Sequence, residues 1–250
     1  MNKKIFAFIH VPKTGGTSLW TSLCNAVKHK TNIDTYDSFH SMYSLLSRRY
    51  VSEINLISKK LLHFKKSDKE ILLIHIHRDA TGLHSILSGD MDVKYITMMR
   101  NPKKRILSAY RHYHTISNPP LKGDTFFVDM LFNNGYDNMF PSIFNLPLSS
   151  PLPENLLQDI ILLSHNDYNN KLLSTKLLEN LLDISIVPMR HEATVTTHFP
   201  LPEKSDTAFW NIISNRAESD FKYYNYLSGA IQKNILLTNV RNLLYFMQLG

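Results

Sequence analysis

The stretch His10 to Ser18, HVPKTGGTS, restricts the folding of this chain more than any other. It follows KIFAFI, an apolar run of aromatic and β-branched residues that predicts a buried strand. After the glycines, Leu19, Trp20, Leu23, Ala26 and Val27 recur at helical spacing, so the opening unit reads as strand, tight loop, helix. Two adjacent glycines are notable in a chain that has only 8. A loop between a strand and a helix N-terminus offers unpaired N–H groups and the positive end of the helix dipole to an oxyanion. Glycines let the backbone wrap such an anion, a lysine adds a point charge, and hydroxyls donate hydrogen bonds. Lys13, Thr14, Gly15, Gly16, Thr17 and Ser18 are therefore candidate phosphate-binding residues. The spacing is not GxxxxGK[ST]: the lysine precedes the glycines, and no apolar strand clearly ends in an Asp to hold magnesium.

Further along, residues 31 to 69 read as mostly helical and polar, and ILLIHIH, Ile71 to His77, reads as a second strand. YITMMR, Tyr95 to Arg100, predicts a third strand running straight into a helix. Asn101 suits the N-cap of that helix and Pro102 its first position, with Ile106, Tyr110 and Tyr113 as its apolar stripe. Residues 117 to 153, rich in Pro, Asn, Ser and Gly, read as a functional loop, a lid or a poorly ordered segment. Leu173, Leu177 and Leu181 mark an amphipathic helix, ISIVPM (Ile184 to Met189) a fourth strand, and the C-terminal fifty residues helices. Alternating strands and helices predict an α/β fold, a mainly parallel central sheet flanked by helices. No break in composition divides residues 1–250, so a single domain is expected.

Composition narrows the partners. A chain of 250 residues with 43% hydrophobic and 20% charged residues is an ordinary soluble globular protein. Its net charge of +7 serves solubility or points to a partner with several negative charges: nucleotide, anionic glycan, nucleic acid or membrane surface. The single cysteine, Cys24, allows no intrachain disulfide and suits a reducing compartment. The apolar run Ile5 to Ile9 is too short for a signal peptide, and none reaches the length of a membrane span. The expectation is a cytoplasmic protein. The histidines show no metal-ligand spacing such as HExxH, so no metal is expected.

HVPKTGGTS resembles the 5′-phosphosulfate loop of the sulfotransferases that use 3′-phosphoadenosine 5′-phosphosulfate (PAPS). The likeness is to the branch containing heparan sulfate and chondroitin 2-O-sulfotransferases and their bacterial relatives. A second stretch, RNPKKRILSAY from Arg100 to Tyr110, matches that family's R-x-P-x-x-R-x-x-S-x-Y pattern. The resemblance implies a sulfotransferase fold with a P-loop-like strand, loop and helix, PAPS as donor, and no metal. It implies that Arg100 and Ser108 hold the 3′-phosphate and that the loop holds the phosphosulfate end. A strand-end Arg100 and a Ser108 two turns into the next helix can face one sheet edge, where open α/β sheets bind ligands. Lys13 would donate to the oxygen bridging phosphate and sulfur, stabilising charge on the departing nucleotide. Arg105 reads as structural, forming an ion pair on the helix, and stays outside the site.

Transfer to a hydroxyl needs a general base. In ILLIHIHRDATGLH, an extended strand places His75 and His77 opposite Ile74 and Ile76. The resemblance favours His77, which precedes Gly82 and Leu83, with His75 and His84 as alternatives because the spacing differs by about one residue from the family pattern. Asp79 would orient a histidine or stay solvated. Weaker likenesses lie in NGYDNMFPSIF (Asn134 to Phe144), in MRHE (Met189 to Glu192) and in NRAESDFKYYNYL (Asn215 to Leu227), the last read as packing. The expected acceptor is a hydroxyl on a glycan or small molecule, with no nucleic-acid partner, as in a compact bacterial enzyme. Rival readings are a tyrosylprotein sulfotransferase, a magnesium-dependent P-loop kinase, and a nucleotide-binding protein without turnover.

Overall fold

The computed structural model describes residues 3–38, 53–76, 82–89, 91–116, 143–147, 152–164, 173–189 and 206–248. In chain order its elements are β1 (Lys4–Ile9), α1 (Gly16–Val27), β2 (Ile33–Asp37), α2 (Glu53–Lys66), β3 (Ile71–Ile76), α3 (Leu83–Leu87), β4 (Asp92–Met99), α4 (Pro102–Ile116), α5 (Glu154–Leu157), β5 (Ile160–Ser164), α6 (Leu173–Leu182) and α7 (Thr207–Gln248). The strands form one parallel five-stranded sheet in the order β2-β3-β1-β4-β5. The expected α/β architecture with a parallel central sheet is thus what the chain adopts.

Both faces of the sheet are covered, as a parallel sheet requires. Alternation along each strand decides which side chain goes where. Ile5, Ala7 and Ile9 of β1 join Leu72, Ile74 and Ile76 of β3 in packing against Ile57, Leu61 and Phe64 of α2. Phe6 and Phe8 point the other way, onto Leu19, Trp20 and Leu23 of α1 and Leu178 and Leu182 of α6. Each of the buried Leu, Ile and Phe side chains among these contributes roughly 1.5–3 kcal/mol of transfer free energy. A smaller apolar group joins Ile106, Ala109 and Tyr110 of α4 to Phe209, Ile213 and Ala217 of α7. Asn101 accepts from the Lys104 N–H at 3.2 Å, capping α4 as its sequence predicts.

Four expectations need correction. Residues 31 to 69 are not simply helical, because Ile33–Asp37 forms β2, which among the described residues pairs only with β3. An edge strand buried little along its length carries no apolar run to betray it, and IDTYD has only Ile33 fully inside. Ile184 to Met189 is not a strand. It runs irregularly along α1, where Ser22 donates to the Val187 carbonyl at 2.9 Å and accepts from the Met189 N–H at 3.1 Å. Pro188 could not donate to a ladder in any case. The strand beside β4 is Ile160–Ser164 instead. On α6 the buried face is Leu178 and Leu182, whereas Leu177 and Leu181 are exposed, so the buried stripe lies one residue on from the expected one. The C-terminal helices are one continuous helix, α7. Among the described residues no helix is long and apolar enough to cross a membrane.

Candidate anion-binding site

The strand order makes β1 the point where the chain changes direction: β3 lies on one side of it and β4 on the other. Crevices at the carboxyl ends of strands form at such reversals. The loop after β1 and the turn after β4 therefore open onto the same edge.

From β1 the chain is led into the loop by ordinary hydrogen bonds. The His10 N–H extends the ladder to the Ile76 carbonyl at 2.9 Å, and the buried Thr14 hydroxyl donates to the Val11 carbonyl at 2.7 Å. Lys13 and Gly15 both have positive φ, 64° and 95°, a conformation glycine accepts freely and lysine adopts at a cost. Gly15 caps α1 without any side-chain hydrogen bond, and the first turn of α1 carries no acidic residue. The N–H groups at that end and the positive end of the helix dipole stay available to an external anion.

Arg100, one residue past β4, reaches across and donates to the Lys13 carbonyl at 3.3 Å. Lys13 and Arg100 are both half-buried, and among the described residues neither has a carboxylate partner. Burial first, and then the Arg100 charge, lower the Lys13 pKa; burial alone lowers that of Arg100. Two half-buried cations bridged through one carbonyl form a site suited to an anion.

The other expected residues are distributed as follows. Thr17 is exposed and Ser18 half-buried on the first turn of α1. Ser108 is half-buried on α4 and makes no side-chain hydrogen bond to Arg100 or the loop among the described residues. His77, the favoured base, lies outside the described residues, as does Asp79. Of the alternatives, His75 is 4% exposed, enclosed between strands and α1. His84 is tied through Nδ1 to the Tyr95 hydroxyl at 2.6 Å, and its burial lowers its pKa. Arg105 is engaged in an ion pair, but its partner is Asp220 of α7 at 2.7 Å and not a residue of its own helix. Among the described residues no group of His, Cys, Asp and Glu is gathered as a metal site. Residues 117–142 and 190–192, which carried weaker expectations, lie outside the described residues.

Sequence reasoning missed His10, Trp20 and Asp37 as parts of this region. His10 Nδ1 and His75 Nε2 are 3.0 Å apart, and His75 Nδ1 lies 3.2 Å from Asp37 Oδ1. Trp20 Nε1 donates to the other oxygen of Asp37 at 3.0 Å. The alternation that turns Phe8 toward α1 turns His10 the same way, and this was the available signal.

No family profile matches the chain. No curated protein matches it either. Among solved structures, the crystal structure of mouse sulfotransferase SULT7A1 complexed with PAP is similar over 89% of this chain and 67% of that chain. The identity is 13% and the TM-score 0.43.

Proposed function

We propose that this protein is a PAPS-dependent sulfotransferase, moving a sulfuryl group to an acceptor hydroxyl on a carbohydrate or a small molecule. The observation that carries the reading is the pair Lys13 and Arg100: half-buried, bridged through the Lys13 carbonyl, and without a carboxylate partner among the described residues. Two such charges at an uncapped helix N-terminus suit a ligand bearing more than one phosphate. The signatures HVPKTGGTS and RNPKKRILSAY, in that order and each at a strand-to-helix junction, support a donor with a 3′-phosphate.

When bound, PAPS supplies an activated sulfuryl group on a phosphate leaving group. The chain's own residues do the rest. Backbone N–H groups of Gly15 to Ser18, with the Thr14, Thr17 and Ser18 hydroxyls as further candidates, hold the phosphosulfate end. Lys13 offsets charge on the departing oxygen, and Arg100 with Ser108 holds the 3′-phosphate. A grip fixed before reaction aligns donor and acceptor for in-line transfer. His77 is the proposed base. His75 is poorly suited, because an acceptor cannot approach a ring enclosed by Phe8, Trp20 and His10.

Incubation with labelled PAPS and panels of glycans, small hydroxyl compounds and tyrosine peptides tests the proposal. Lys13→Ala and His77→Ala should abolish label transfer, while Arg100→Ala should chiefly weaken cofactor binding. Near-normal transfer by His77→Ala moves the base elsewhere. Transfer to tyrosine peptides alone makes the protein a tyrosylprotein enzyme. Magnesium-dependent phosphate transfer from ATP replaces the reading with a kinase. Binding without transfer to any panel leaves a nucleotide-binding protein without turnover.

A further inference from the structure

We propose that Asp37, His75 and His10 form a positioning chain beneath the phosphate loop, in which the His10 ring is the floor that fixes Gly16. The inference rests on the reading of this loop as the grip on the donor's 5′ end.

The loop is tightly packed at Gly16. Its φ is not in the left-handed region, so backbone conformation does not demand a glycine there. Close approach does. A Cβ on Gly16 would stand 2.3 Å from His10 Cδ2 and 2.5 Å from His10 Nε2, well inside contact distance. Such a collision is cheap only if the neighbour can move, and His10 is held on several sides. Its backbone N–H is bonded to the Ile76 carbonyl, its Nδ1 meets His75 Nε2, and its ring stacks with Phe8 at 5.7 Å and His75 at 5.1 Å.

The Asp37 carboxylate, 3.2 Å from His75 Nδ1, biases which ring nitrogens carry protons. Asp37 faces His75 Nδ1 and favours the tautomer with its proton there. His75 Nε2 is then an acceptor, and His10 Nδ1 is its donor. Trp20, on α1 itself, donates to the same Asp37 carboxylate and stacks on His75 at 4.8 Å. The first turns of α1 are thereby referred to the ends of β2, β3 and β1 together. Gly16 is the first residue of α1, directly after Gly15 and three residues after Lys13, both held at positive φ, where a small shift would misdirect the N–H groups offered to an anion. None of the three side chains needs to touch the ligand. They act through the loop.

The test is a double-variant cycle on the full chain, read by calorimetric titration with adenosine 3′,5′-bisphosphate and by thermal unfolding without ligand. Gly16→Ala alone should weaken binding about tenfold, because the methyl meets an immobile ring. In a His10→Ala background the same change should alter affinity less than about threefold, since the ring has gone and the two sites are coupled. His75→Phe keeps the stacking but offers His10 no acceptor, and should weaken binding about fivefold. Leu61→Ala, on the opposite face of the sheet, should lower the melting temperature and leave affinity unchanged, so that loss of binding cannot be general destabilisation. Independent losses for Gly16→Ala and His10→Ala, or undiminished affinity in His75→Phe, would overturn the proposal. If the unaltered protein does not bind the bisphosphate, the reading of the loop fails instead. The positioning chain is then judged by melting temperature alone: Gly16→Ala must destabilise less when His10 is alanine, and equal losses in both backgrounds refute it.

Discussion

Lys13 concentrates the physical conflict of this protein in one residue. Its ammonium is desolvated beside Arg100, which lowers its pKa below the ordinary 10.5. A cation with a lowered folded pKa releases its proton earlier in the folded than in the unfolded state. The unfolded chain therefore binds more protons in the window just below 10.5, and stability contributed at this site rises with pH there. Lys13→Met should raise the melting temperature of the ligand-free protein and flatten that alkaline rise. The same change should weaken bisphosphate binding by about tenfold or more, since a hydrogen bond from a charged donor is lost. Calorimetry with and without ligand checks both signs at once. Cys24 makes a simpler case. Burial, and secondarily the Asp37 charge, push its pKa up to about 11, so it is a thiol and a poor nucleophile at neutral pH. Alkylation of the folded protein should be slow at pH 8 and should accelerate sharply on unfolding, as mass spectrometry would record.

At the scale of elements, the buried pair Arg105–Asp220 joins α4 to α7 with side chains 11% and 7% exposed. Removing one partner strands the other charge, so Asp220→Asn should cost about 3–5 kcal/mol. Arg105→Met with Asp220→Leu should recover most of that loss in denaturant titrations, because no charge is then left buried. An ion pair at Arg105 was legible in the sequence as one on its own helix, but the partner lies on α7, 115 residues away. The same contrast runs through the fold. Strands β1, β3 and β4 are buried on both faces and announce themselves as apolar runs, whereas edge strand β2 has no such run. Ile184 to Met189 has the composition of a strand, yet its backbone is engaged by Ser22 of α1. Local pattern reports what a segment can bury, and the partner that covers it is decided by the rest of the molecule.

For the whole molecule, the decisive fact is the strand order. Placing β1 between β3 and β4 brings the loop at Lys13 beside Arg100, residues 87 apart in sequence. Their positions were readable, since each lies between a strand and a helix, and their use in phosphate binding is what we propose. The Asp37–His75–His10 chain was not readable, because it exists only when β2, β3 and β1 lie side by side in that order. The central claim is that this edge holds a nucleotide carrying phosphates at both its 5′ and 3′ ends. Calorimetric titration without added metal, comparing adenosine 3′,5′-bisphosphate with ADP, tests it most directly. The 3′,5′-bisphosphate should bind at least about tenfold more tightly, the worth of one charge-assisted phosphate contact. Equal affinity for the two nucleotides would contradict it.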